Sequence, residues 1–143
     1  MINRELKVAR ILVTIPAVFL VVGPPVADLN ESHLLNPQWI GHARLHTAWL
    51  ISTNALVCLV ALLILWRRKA SPIVDSVRLG AGLVACVLGG FFVATATQSL
   101  YGGSLSDPGV AVGIAGFDAN LVVFSLLLGM VGVAALLVRR AAR

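Results

Sequence analysis

The chain has 143 residues, of which 59% are apolar and only 12% charged, with a mean hydropathy of +0.95. Soluble domains average about 45–50% apolar and about 25% charged residues, so a water-soluble globule is excluded; the apolar content excludes disorder, and having only two cysteines excludes a disulfide-stapled scaffold. The net charge of +5 and pI near 10.3 raise nucleic-acid binding, but ten of the eleven Lys and Arg sit at the ends of long apolar runs, which places them as membrane-topology charges and leaves no nucleic-acid partner.

A transmembrane helix needs about 20 largely apolar residues. Four segments qualify, at 8–27, 40–66, 73–100 and 117–138. The expected fold is therefore all-α, an integral membrane four-helix bundle, with residues 1–143 forming one domain. In the first span, Pro16 should kink the helix by deleting a backbone hydrogen bond, and Gly23-Pro24-Pro25 should end its regular part. Arg4, Lys7 and Arg10 ahead of an apolar run, with Pro25-Val26-Ala27 behind it, also resemble a signal peptide. Cleavage there would leave three spans and upset the charge pattern, so a retained span is expected.

Before the second span, Asn36 suits an N-cap and Pro37 the first helical turn. From there Trp39, His42, His46, Trp49 and Thr53 recur at three and four residues, one stripe down a helix face. The third span carries Gly82, Cys86 and Gly90, and the fourth Ser125 and Gly129. This four-residue spacing of small side chains lets helix backbones approach closely. The expectation is tight packing within one bundle, with a homo-oligomer left open. Cys58 and Cys86, in the inner halves of their spans, read as small apolar fillers without a redox role. Tyr101-Gly102-Gly103 and Asp107-Pro108-Gly109 read as turns. The glycine-rich stretch 109–116 lacks the strand-to-helix context of a phosphate loop.

The charges fix an expected orientation. Arg4, Lys7, Arg10, Arg67, Arg68, Lys69, Arg78, Arg139, Arg140 and Arg143, less Glu5 and Asp75, give one face +8. Asp28, Glu31, Asp107 and Asp118, less Arg44, give the other −3. The positive-inside rule then places both termini in the cytoplasm of a multi-pass cell-membrane protein.

Polar groups within a membrane are costly, so their placement carries information. All three histidines lie between residues 33 and 46. His42 and His46 form an i, i+4 pair, the spacing by which a helix offers two imidazoles to one metal ion. Gln98 near the outer end of span three, and Asp118 and Asn120 opening span four, are expected at the same depth. A bundle core near the outer leaflet would then gather His42, His46 and Asp118 as catalytic groups or metal ligands. Trp39, Trp49, Gln98 and Asn120 would line the substrate pocket, with Asp28, Glu31 or His33 as a lid. Imidazole donors favour zinc or iron over magnesium or calcium. The same cluster also reads as a structural network whose members satisfy one another. Trp39, Trp49 and Tyr101 equally suit an interfacial aromatic belt.

The block Asn36-Pro37-Gln38-Trp39-Ile40-Gly41-His42-Ala43-Arg44-Leu45-His46 resembles the signature N-P-x-W-x-x-H-A-R-x-H of a small, uncharacterised membrane family of bacteria and fungi. The later Leu100-Tyr101-Gly102-Gly103 and Phe117-Asp118-Ala119-Asn120-Leu121 resemble its bacterial members. The resemblance implies a four-helix membrane protein and supplies no activity. In layout the chain is similar to DoxX-like proteins and to the sterol-isomerase/sigma-2-receptor superfamily, the latter of which binds sterol-like ligands in an intramembrane pocket. Two functions follow as expectations. One is a small membrane enzyme acting on an apolar small molecule or lipid, with His42 and His46 as metal ligands or acid–base groups. The other is a non-catalytic lipid-binding or accessory subunit of a membrane complex. A pocket reaching the histidines favours the first, and histidines hydrogen-bonded to neighbours in a solid bundle favour the second.

Overall fold

The structure is a computed structural model that describes residues 4–67, 73–106 and 113–143. Arg68, Lys69, Asp107 and the turn Asp107-Pro108-Gly109 lie outside the described residues. Four helices follow one another: α1 (Arg4–Asp28), α2 (Gly41–Trp66), α3 (Ile73–Thr97) and α4 (Ala119–Ala141). Each is long and apolar enough to cross a membrane. The physical reason is common to all: in hydrocarbon a helix satisfies its own backbone polar groups, and no other open segment does. A single 3-10 turn, Gln98–Leu100, extends α3, and a two-residue hairpin, β1 (Gly113–Ile114) with β2 (Phe117–Asp118), leads into α4. Ala115 and Gly116 at its tip both have positive φ, 52° and 84°, as the tightest hairpin turn requires.

The helices form a ring in sequence order, α1–α2–α3–α4, closed by α4 on α1. One diagonal is short, because α1 also touches α3; among the described residues α2 and α4 share no contact. The bundle therefore has α1 and α3 at its centre and α2 and α4 on either flank.

The core is built of small and branched apolar residues at helical spacing. α1 contributes Leu6, Ala9, Val13, Ala17 and Leu20; α2 Cys58, Ala61 and Leu65; α3 Val77, Ala81, Val84 and Leu88; α4 Leu127, Val131, Ala134 and Val138. This core lies toward the end that holds the basic residues. At that end Trp66 donates its indole N–H to the Thr14 hydroxyl at 3.0 Å, and the Arg10 guanidinium stacks 4.0 Å above the Trp66 ring. On the far side the buried core stops and phenyl rings take over. Phe91 stacks on Phe124 with centroids 4.1 Å apart, and Phe19 meets Phe124 edge-on at 6.3 Å.

Three expectations need correction. Gly23-Pro24-Pro25 does not end α1, which passes through all three prolines to Asp28. The Leu29 N–H still reaches the Pro25 carbonyl at 3.0 Å, so the turn after the prolines closes normally. Secondly, α2 does not begin at Asn36. The Asn36 side chain accepts from the Gln38 N–H at 2.9 Å, a local turn that competes with helix capping, and Ile40 stands at the N-cap position instead.

The third correction concerns the small-residue stripes. Gly82, Cys86 and Gly90, and likewise Ser125 and Gly129, lie exposed on the outside of the bundle. A methyl group added at Gly82, Gly90 or Gly129 would meet nothing within 4 Å. The close approach is made by Gly80, where an added Cβ would fall 2.8 Å from Leu65 Cγ. The filler reading holds for buried Cys58 and not for Cys86, which is exposed.

Candidate functional site

The first turns of α2 carry the histidine pair. One helical turn separates His42 from His46, and their rings stand 4.5 Å apart at 81° with the two Nε2 atoms 3.1 Å apart, a hydrogen bond in which one imidazole donates and the other accepts. Trp49 continues the row, its ring 5.9 Å from His46. Thr53 follows on the same face. The stripe read from the sequence therefore exists from His42 onward. Trp39 is not part of it, since it precedes the helix and sets its ring 6.3 Å from His33.

The stripe faces outward. Both histidines and Thr53 are exposed, and Trp49 retains 65% of its accessible surface. The geometry of α2 explains this. At about 100° per residue, Ile51 lies half a turn round from His42, and Ile51, Cys58, Ala61 and Leu65 are the buried residues of this helix. The imidazoles therefore project from the side of α2 opposite to the core, and the expected bundle-core site is not formed by them.

Asp118 has a different task. It is the N-cap of α4, its carboxylate accepting from the Asn120 N–H at 2.8 Å and the Leu121 N–H at 3.2 Å. These are two of the four amide donors that a helix start leaves unsatisfied. Asp118 stands at the start of α4 and the histidines on α2, the two flanking helices, which share no contact among the described residues. Among the described residues, no group of three or more His, Cys, Asp and Glu side chains could hold a metal ion. Toward a metal, the described residues of this site offer the His42 and His46 nitrogen pair.

The remaining site candidates are dispersed. Gln98 is half-buried in the 3-10 turn, where its carbonyl accepts from the Tyr101 and Gly103 N–H groups. Asn120 donates its amide to the Leu105 carbonyl at 3.2 Å, tying the preceding loop to α4. Asp28 accepts the Leu34 N–H through its backbone carbonyl, closing the turn after α1. Glu31 is exposed, and His33 Nδ1 lies 2.7 Å from the Ser32 hydroxyl, so the proposed lid residues are held by their own loop. Arg44 projects away from the stripe, its Nε donating to the Trp39 carbonyl at 3.1 Å. That bond pins the segment before α2 against the helix start.

One cluster escaped the sequence reading. The sequence marked Arg10 only as a topology charge and Trp66 only as the last residue of the second span, yet they pair across α1 and α2. Their separate positions within the first turns of one span and the last turn of the next were the available signal, since consecutive antiparallel spans bring those turns to one membrane face.

Four helices able to cross a bilayer, carrying polar side chains at one end and arginines at the other, define a small multi-pass membrane protein. Residues 12–143 match the model of DUF6640, a family of unknown function, and the chain belongs to that family. No curated protein and no solved structure matches it.

Proposed function

We propose that this protein is a non-catalytic accessory subunit of the cell membrane, with cytoplasmic termini, that packs the His42–His46–Trp49 face of α2 against another membrane component. The observation that carries this reading is the direction of that face: two hydrogen-bonded imidazoles and an indole turned away from the core. Polar side chains on a span normally look into the bundle or meet a polar partner, because hydrocarbon solvates them poorly. Photo-crosslinking from position 49 in native membranes, with position 63 on the same helix as control, tests it. A discrete protein adduct at 49, absent at 63 and lost in His42→Ala/His46→Ala, is expected. Lipid adducts alone at both positions would refute the reading.

A second reading is favoured by the nitrogen geometry. Two ligands at about 2.0–2.1 Å from a tetrahedral zinc ion are themselves about 3.3 Å apart, close to the 3.1 Å between the two Nε2 atoms. Zinc or iron held by His42 and His46 would leave positions for water or an apolar or lipid-like substrate, and the protein would then be a small membrane enzyme. Elemental analysis of purified wild type beside His42→Ala and His46→Ala separates the two. Stoichiometric metal lost in both variants establishes the metal reading; a metal-free wild type removes it.

A further inference from the structure

A groove of about 480 Å³ runs between α3 and α4 at the basic end of the bundle, well away from the histidines. Its size is that of a small-ligand site. The floor is apolar: Ala81, Gly82 and Ala85 from α3 face Gly132 and Ala135 from α4. Small side chains hollow it out, since a Cβ added at Gly82 or Gly132 would still meet nothing within 4 Å. Its mouth is charged on both sides. Arg78 on α3 and Arg139 on α4 both line it, and among the described residues no acidic side chain does. Asp75 stands beside Arg78 at a loose 3.9 Å, and both side chains are exposed.

The length of the groove identifies the occupant. From Arg139 to Leu128 the α4 wall covers about 16 Å at about 1.5 Å per residue. One leaflet contributes about 15 Å of hydrocarbon. The groove therefore begins with two cations at headgroup level and ends near the bilayer midplane, as an acyl chain does. We infer that it binds one anionic phospholipid, with the phosphate between Arg78 and Arg139 and an acyl chain laid over Gly82 and Gly132. Guanidinium forks suit phosphate oxygens, and paired basic side chains between spans select anionic headgroups. The inference does not depend on the role of the histidine face.

Native mass spectrometry of the full-length protein, released from detergent with equimolar phosphatidylglycerol and phosphatidylcholine of matched chains, tests it. Phosphatidylglycerol adducts should dominate by about thirtyfold if both arginines act together. Arg78→Gln/Arg139→Gln should bring the two lipids level, Arg78→Lys/Arg139→Lys should retain a preference, and Gly82→Leu/Gly132→Leu should lose both adducts with the bundle still folded. Four results would overturn the inference: equal binding by the wild type, an unchanged preference in the double Gln variant, an equal loss in Arg140→Gln, which lies outside the groove, or displacement of the lipid by inorganic phosphate. A dimer that fills the groove in place of lipid would overturn it as well.

Discussion

Gly80 and Gly82 lie on the same helix and differ only in what surrounds them, so adding one methyl group to each isolates the packing of the bundle. At Gly80 the new Cβ would land 2.8 Å from Leu65 Cγ and 3.0 Å from Cδ2, and Leu65, at 1% exposure, is packed within the core. Overpacking of this kind costs about 1–3 kcal/mol. Alanine in place of glycine recovers about 1 kcal/mol of helix propensity at either position. Gly80→Ala should therefore be neutral to about 2 kcal/mol destabilising, and Gly82→Ala about 1 kcal/mol stabilising, because the latter meets nothing within 4 Å. The propensity gain cancels in the comparison, leaving a gap of about 1–3 kcal/mol that reports the Leu65 contact alone. Reversible unfolding of the detergent-solubilised protein by dodecyl sulfate, followed by circular dichroism, measures it. Equal effects at the two positions, or a larger loss at Gly82, would show that α3 presents a different face to α2.

Asp118→Ala should cost about 1 kcal/mol by the same assay, since it frees two amide donors at the start of α4, whereas Asp118→Asn, which can still cap, should be nearly neutral. Trp66→Leu should lose both the Arg10 stacking and the Thr14 hydrogen bond, about 1–3 kcal/mol together, and Trp66→Phe should recover the stacking share. In a background with Cys58 and Cys86 replaced, Ser104→Cys should react with impermeant maleimide in intact cells and Arg143→Cys only after permeabilisation; the reverse pattern would overturn the orientation drawn from charge.

The four spans were legible because hydrocarbon leaves the backbone few alternatives, and the second, drawn at 40–66, lies within a residue of α2. The end of α1 was not, because Pro24 and Pro25 read as stops in water but a spanning helix carries them. The histidine pair was legible from spacing alone, as one helical turn brings the rings together whatever surrounds them. Its direction was hidden. Leu45, Leu50, Leu56 and Leu63 are exposed on a helix whose buried residues are Ile51, Cys58, Ala61 and Leu65, so hydrophobicity does not mark the inward side. The same ambiguity misled the reading of Gly82, Cys86 and Gly90. Small-residue spacing tells that something can approach closely, and it does not tell which side of the helix is approached.

The core residues on each helix, read in order toward the histidine end, stop at Leu20, Ile51, Leu88 and Leu127, and beyond the phenyl rings no described residue is buried. Mechanically this makes the molecule a clothes-peg, packed tight at the arginine end by Trp66, Leu65 and their neighbours and only thinly packed at the other. Amide exchange should be slowest near Val13, Val84 and Ala134 and should quicken steadily toward the first turns of α2, where little packing resists opening. His42 and His46 ride on the tip of one prong. A small change in the splay of α2 would carry both rings together while their mutual hydrogen bond, set by a single turn of helix, stayed intact.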